Sequence, residues 1–210
     1  MGVEHRGTNH RTAKHHRLHR SASLTRKPRT GLCPYIWVLD LLTGNSNRLT
    51  SQGTNFWPLW SPDGKRILFS GGLGGTQILS IPADGSGAAE TVLTGKGEVL
   101  PSSWSADGKL AYIETPQELD QILTRPMARE GAPQLFSDPK FESQDAEFSP
   151  DGRWMAYVSN ETGRDQVWVR PFPGPGEKYP RSAGGGVNPI WAPNQRELYT
   201  SRLRVRAKGK

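Results

Sequence analysis

The segment WSPDGKRILF at residues 60–69 recurs along the chain as WSADGKLAYI at 104–113, FSPDGRWMAY at 148–157 and WAPNQRELYT at 191–200. Aromatic residues open these four segments at intervals of 44, 44 and 43 residues: Trp60, Trp104, Phe148 and Trp191. A second series, QILSIP, QILTRP and QVWVRP, has spacings of 44 and 45 residues and begins at Gln77, Gln121 and Gln166. Two series in step indicate a repeat protein.

Each period is predicted to contain about four short strands. Trp60 ends one strand, and residues 61–64 form a turn because Pro presets φ at the second turn position and Gly accepts a positive φ. Residues 65–70 form the second strand, and the Gln-led strand ends at a proline, which cannot donate to a ladder. A fourth strand is expected at residues 90–93, and again at 133–136 in the next unit. Because Pro and Gly interrupt every candidate helical window, a helical repeat is excluded.

Apolar residues lie on both faces of these strands, which is typical of a sheet packed between two similar sheets. We therefore predict an all-β fold of four-stranded antiparallel β-propeller blades. Three complete periods are flanked by two half-units, residues 36–50 and 187–201. We expect an open fragment of a larger propeller with edges that favour self-association. The alternative is a four-bladed ring closed by pairing the two halves.

Charge divides the 210 residues into a body and two tails. Residues 1–30 hold eight Lys or Arg against one acid, and residues 202–210 hold five basic residues and no acid. The positive formal charge of +7 therefore comes from the tails, whereas residues 31–201 have a net charge of −5. We predict a disordered basic tail at 1–30, propeller repeats at 31–201 and a basic end at 202–210. Neither tail interleaves aromatic residues with its charges, so nucleic acid is not an expected partner.

The sequence carries no secretory signal and no apolar run long enough to span a membrane, and it reads as soluble with its compartment undetermined. Cys33 is the sole cysteine, which excludes an internal disulfide. All five histidines lie within residues 1–30, so the repeats lack an imidazole for a catalytic triad or a His-ligated metal. We expect no catalytic residue, no cofactor and no metal.

The candidate residues are therefore structural anchors of the repeat. The turn aspartates are expected to accept hydrogen bonds from nearby backbone N–H groups rather than to form a metal-binding ring. The aromatic residues are expected to pack between blades rather than to stack on a ligand. The anchors are Trp60, Pro62, Asp63, Gly64, Trp104, Asp107, Gly108, Phe148, Pro150, Asp151, Gly152 and Trp191.

The recurring W-S-P-D-G-[KR] hairpin with its Gln-led strand resembles the WD40-like (PD40) repeat of TolB-type propellers. The stretch NETGRDQVWVRPFPGPG at residues 160–176 is most similar in pattern to the C-terminal propellers of bacterial serine/threonine kinases. The resemblance covers residues 34 to about 200 and departs from the pattern at Ala106, Asn194 and Gln195. A TolB-like role implies a periplasmic location if an export signal is missing from this sequence.

This resemblance implies a non-catalytic binding module that engages a protein partner or a small ligand on one propeller face. The alternative is the propeller portion of a larger enzyme, either a prolyl-oligopeptidase-like peptidase or a propeller-linked kinase. Either enzyme requires a catalytic domain outside this chain, because the 210 residues contain no kinase motifs and no G-x-S-x-G elbow.

Overall fold

The computed structural model describes residues 35–128, 131–174, 176–182 and 184–201. The predicted disordered tail at 1–30 and the basic end at 202–210 lie outside these residues. Apart from a short 3-10 turn at Leu73–Gly75, the regular structure is all strand. No helix in the described ranges is long and apolar enough to cross a membrane.

Sixteen strands follow one another in the described residues as successive antiparallel hairpins. The N-terminal half-blade consists of β1 (Trp37–Leu39) and β2 (Ser46–Arg48). The first complete blade consists of β3 (Phe56–Trp60), β4 (Arg66–Gly71), β5 (Gln77–Pro82) and β6 (Glu90–Thr94).

The remaining strands repeat this arrangement. The second blade consists of β7 (Glu98–Trp104), β8 (Lys109–Thr115), β9 (Gln121–Pro126) and β10 (Gln134–Leu135). The third blade consists of β11 (Ser143–Phe148), β12 (Trp154–Ser159), β13 (Gln166–Pro171) and β14 (Tyr179–Pro180). The C-terminal half-blade consists of β15 (Val187–Trp191) and β16 (Leu198–Ser201).

These sheets confirm the predicted fold class of three complete four-stranded blades and two half-blades. The two half-blades are separate two-stranded sheets with no hydrogen-bonded pairing between them, so the described chain is an open arc rather than a four-bladed ring. The first strands of the blades, β3, β7, β11 and β15, contact one another in turn along the arc. They therefore form its inner wall.

The hydrophobic core is divided into clusters, each lying between two consecutive blades. One cluster joins Ile36 of the N-terminal half-blade to Phe69 of the first blade. The next joins Leu68 of the first blade to Tyr112 of the second. Adjacent residues Leu68 and Phe69 thus point into different clusters, and both are fully buried. Successive strand side chains alternate between faces, which is why blades with two apolar faces stack.

The hairpin of the second blade is one residue shorter than the others. The amide of Arg66 donates to the Ser61 hydroxyl five residues back, at 2.9 Å. In the second blade, the amide of Lys109 donates to the Ser105 hydroxyl only four residues back, at 2.9 Å. Ile67 pairs with Trp60 at the end of the preceding strand, and in the second blade Leu110 pairs with Trp104 in the same way. Leu110 is therefore the equivalent of Ile67, although a spacing of 44 residues would assign Ala111 to that position.

Candidate binding rim

The predicted anchor residues of the turns lie at one end of the arc, which we call the hairpin end. In each of the three complete blades a serine hydroxyl donates to the turn aspartate two residues on, at 2.6, 2.5 and 2.5 Å. The acceptors are Asp63, Asp107 and Asp151. A Cβ on Gly152 would lie 3.8 Å from an Asp107 carboxylate oxygen, so the turns of the second and third blades are neighbours.

Hydrogen bonding within the turns lowers the pKa of these three carboxyl groups. The Ser149 hydroxyl is the largest cause at Asp151, whose pKa falls to about 2, and the Arg153 guanidinium adds to the effect. The pKa of Asp63 is lowered chiefly by the Ser61 hydroxyl. That of Asp107 is lowered chiefly by the Lys109 ammonium. Each carboxylate is committed to its own turn, and the described residues contain no group of three or more His, Cys, Asp or Glu that could hold a metal ion.

Backbone geometry explains the other turn residues. The glycines at the fourth turn position have φ of 70°, 84° and 71°, in the left-handed region that Gly occupies without a steric cost; they are Gly64, Gly108 and Gly152. Pro62 and Pro150 occupy the second turn position, where a fixed φ suits the turn. In the C-terminal half-blade Gln195 takes the glycine position with φ of 62°, and Asn194 accepts the Arg196 amide at 3.0 Å.

The four aromatic anchors differ in burial. Phe148 is 4 % exposed and lies in the cluster between the second and third blades. Trp60 and Trp104 are half-buried at the borders of the clusters that precede their blades. Trp191 is also half-buried, and its indole N–H donates to the Glu147 carbonyl at 3.1 Å. All four occupy the ends of the inner strands, where neighbouring blades meet.

The opposite end of the inner wall, which we call the binding rim, contains a feature that the repeat pattern did not predict. Every inner strand has a β-bulge near its start, and three of the bulges contain a non-glycine residue with positive φ. These residues are Trp57 (56°), Asp145 (54°) and Asn188 (53°). The equivalent residue of the second blade is Pro101, whose ring fixes φ at a negative value.

Side chains connect the bulges of neighbouring blades. The Ser102 hydroxyl donates to the Ala146 carbonyl at 2.8 Å, and the backbone N–H of Asn188 donates to a carboxylate oxygen of Asp145 at 3.1 Å. Both bonds join residues one period apart. At the rim, where the inner strands begin, these bonds join the second blade to the third and the third blade to the C-terminal half-blade.

The rim also carries a group of carboxylates in the connections outside the bulges. Glu142, in the connection that leads into β11, has a raised pKa because burial disfavours its charged form. The negative charges of Asp120 and Asp165 raise it further. Asp120 ends the connection between β8 and β9, and Asp165 ends that between β12 and β13. The rim near the second and third blades is therefore locally acidic.

Trp57 differs from the other two left-handed residues in size and exposure. Asp and Asn adopt positive φ more readily than other non-glycine residues, whereas a bulky side chain in this region is a genuine outlier. Such a conformation costs on the order of 1–3 kcal/mol and clusters at functional sites. The Trp57 side chain is 37 % exposed, although a buried position would recover more hydrophobic free energy.

No family model matches this chain, and no curated protein matches it. Among solved structures, it is similar to TolB from Acinetobacter baumannii, with a TM-score of 0.65 and 16 % identity over 83 % of this chain and 43 % of TolB. A chain of a nidogen–laminin complex has a TM-score of 0.65 and 14 % identity over 80 % of this chain and 64 % of that one. A chain of a mitotic checkpoint complex has a TM-score of 0.62 and 17 % identity over 80 % and 53 %.

The chain thus spans less than two thirds of the length of each of these three structures. Identities this low show a shared fold. The four-stranded antiparallel blades and the structural neighbours both indicate a β-propeller. The chain has the fold of a partial β-propeller, similar to that of TolB and of the other two structures.

Proposed function

We propose that this chain is a non-catalytic binding module that engages a protein or peptide partner at the binding rim. The observation that carries the proposal is Trp57, an exposed indole in a strained backbone conformation on the inner wall. Tryptophan is enriched among the residues that dominate binding free energy at protein interfaces. A partner that covers this indole would offset the cost of its conformation.

The inner wall is suited to binding rather than to covalent chemistry. Further along it from Trp57, the bulges of the third blade and of the C-terminal half-blade carry Asp145 and Asn188, which are half-buried and polar. An apolar aromatic residue combined with polar groups on one surface is a common arrangement at protein interfaces. The repeat body has no histidine to act as a general base, which favours a non-catalytic role.

The structural neighbours support the choice of a protein partner. Two of the chains similar in fold were solved within a nidogen–laminin complex and a mitotic checkpoint complex, that is, in assemblies with other proteins. In this chain the rim offers the loops and bulges of several blades side by side. A peptide or loop lying across the inner wall would contact more than one blade.

Selection of peptides from a random library on the immobilised chain tests the proposal, with dissociation constants measured by fluorescence polarisation. We expect Trp57→Ala to weaken the binding of an enriched peptide by about tenfold or more. A hot-spot residue contributes about 2 kcal/mol or more, and each 1.4 kcal/mol corresponds to a tenfold change in the dissociation constant. The control is Lys65→Ala, an exposed residue of the hairpin end, and its affinity should equal that of the wild type. Equal loss in both variants, or no loss in either, contradicts the proposal.

A further inference from the structure

The two half-blades of the arc are complementary halves of one blade. The N-terminal half-blade consists of β1 and β2, which correspond to the third and fourth strands of a complete blade. The C-terminal half-blade consists of β15 and β16, which correspond to the first and second strands. In every complete blade the second strand pairs antiparallel with the third. Among the described residues, β16 and β1 each lack that pairing.

The face of the C-terminal half-blade that points away from the third blade exposes apolar residues whose equivalents in the first blade are covered. Ile190 lies opposite Tyr199, as Leu59 lies opposite Leu68 in the first blade. Leu68 is fully buried against the second blade, and Leu59 packs at the same cluster. In contrast, Ile190 is 41 % exposed and Tyr199 is 59 % exposed. This face therefore has the composition of a contact surface for a following blade.

The face of the N-terminal half-blade that points away from the first blade also exposes residues whose equivalents in the third blade are covered. The amide of Ile36 donates to a threonine hydroxyl at 2.9 Å, as that of Val167 donates to a serine hydroxyl at 2.8 Å, so these residues are equivalent. Trp37 is then equivalent to Trp168, which is 9 % exposed and packs toward the preceding blade. Trp37 itself is 56 % exposed, and Leu39 on the same face is 49 % exposed.

We propose that two copies of this chain join head to tail, with β16 of one copy pairing with β1 of the other at two equivalent junctions. Each junction completes a four-stranded blade. Two copies contribute six complete blades and two completed ones, which makes eight, within the usual range of propellers. The same contact made twice closes a two-fold ring and leaves neither β16 nor β1 with an unpaired edge at the junction.

One arrangement covers both exposed faces at each junction. In a completed blade, Ile190 and Tyr199 of one copy face the first blade of the other copy, in the manner of Leu59 and Leu68 within the chain. Trp37 of that second copy then faces the third blade of the first copy, as Trp168 faces the second blade. The apolar surface left on each half-blade is therefore removed from water by the same association.

The complete blades also set the register of the junction. In the third blade, Tyr157 of β12 lies opposite Trp168 of β13. Counting from the pairs that end the hairpins, Phe148 with Met155 and Trp191 with Leu198, Thr200 takes the place of Tyr157. Thr200 of one copy therefore lies opposite Trp37 of the other.

A second copy is the occupant that the chain itself can supply. In the first blade the third and fourth strands span residues 77–94, and β1 and β2 of a second copy are their equivalents. A second copy therefore supplies the missing third and fourth strands with matching direction and facing residues.

Sedimentation velocity of the full chain over a dilution series is the first test. We expect a species of twice the 23.2 kDa chain mass. Tyr199→Glu should raise the dimer dissociation constant by about tenfold or more because it places a charge in the buried junction. Leu73→Glu is the matched control, since Leu73 is 95 % exposed on a loop of the first blade. A monomer, a larger assembly, or equal weakening by both substitutions overturns the proposal.

Disulfide trapping tests the register and separates a second copy from closure of one chain on itself. The variant Trp37→Cys with Thr200→Cys, in a Cys33→Ser background, should give a covalent dimer on oxidation. Trp37→Cys with Ser201→Cys is the control, because adjacent strand residues point to opposite faces. A cross-linked monomer, or equal cross-linking in the control, overturns the proposal. Unchanged circular dichroism of Tyr199→Glu shows that its effect lies on association and not on folding.

Discussion

The Ser102 hydroxyl donates a 2.8 Å hydrogen bond to the carbonyl oxygen of Ala146, which lies 44 residues further along the chain. Both residues are buried, and they belong to the inner strands of two neighbouring blades. One hydroxyl thus bridges equivalent parts of successive repeats. The junctions between blades are held by polar groups as well as by the hydrophobic clusters.

Replacing this hydroxyl tests how much the bridge contributes. We expect Ser102→Ala to lower the free energy of unfolding by about 1–3 kcal/mol, because the buried Ala146 carbonyl loses this donor. Ser51→Ala removes a hydroxyl from an exposed loop and should change stability by less than about 0.5 kcal/mol. Urea denaturation of the two variants measures the difference, and equal stabilities would refute the bridging role.

The aromatic anchors should contribute unequally to stability. Phe148 is 4 % exposed and meets the Phe172 ring edge-on, with 4.8 Å between centroids. We expect Phe148→Ala to cost about 3–5 kcal/mol, as for other large buried aromatics. Trp104→Ala should cost less, because the indole is half-buried. Thermal and urea melts of both variants check the order, and a larger loss for Trp104→Ala would contradict it.

Gly97 lies in the connection between the first and second blades, where the backbone of Thr115 leaves no room for a side chain. A Cβ at residue 97 would lie 1.9 Å from the Thr115 carbonyl oxygen. We expect Gly97→Ala to destabilise the fold by about 1–3 kcal/mol through the backbone shift that it forces.

Gly87→Ala is the control for this substitution, since its Cβ would meet only the Pro82 ring at 3.3 Å and its φ is also not positive. A near-native melting temperature for Gly97→Ala, together with a lowered one for Gly87→Ala, would show that the nearby Thr115 backbone does not restrict residue 97 to glycine.

The turn carboxylates should make stability depend on acid pH. The pKa of Asp151 falls from 3.8 to about 2 in the folded chain, so the unfolded state binds the proton more tightly. The stabilisation is present above about pH 3.8 and is lost as the pH falls toward about 2. Asp151→Asn should therefore be less stable than the wild type near neutral pH, with the difference narrowing in acid. Parallel stability curves between about pH 2 and pH 5 would contradict this.

The strands were predictable because each is bounded by a strong local signal. The strand at Gln77–Pro82 begins at the repeated glutamine and ends at the proline, as predicted. The turn at residues 61–64 follows from the preferences of Pro and Gly, and Trp60 ends its strand as expected. The half-blades were also predictable, since residues 36–50 and 187–201 match half of the period.

The binding rim was not predictable from the repeat. Nothing in the residue types around Trp57 indicates a positive φ, because tryptophan disfavours that region and tertiary packing imposes it. Asp145 and Asn188 have weak left-handed preferences that gain meaning only when the three bulges are aligned. Pro101 at the same position in the second blade interrupts the series. The shared feature is a backbone conformation and not a residue type.

The shorter hairpin of the second blade has a consequence for how such a gene can recombine. A crossover placed within β4 and β8 at positions exactly one period apart would join Ile67 to Tyr112. Tyr112 would then stand where Leu68 stands, and every later residue of that strand would turn to the opposite face of the sheet. A crossover within the turns, at Asp63 and Asp107, keeps each hairpin with its own strand. Viable duplications of these repeats should therefore have their breakpoints in the turns and not in the strands.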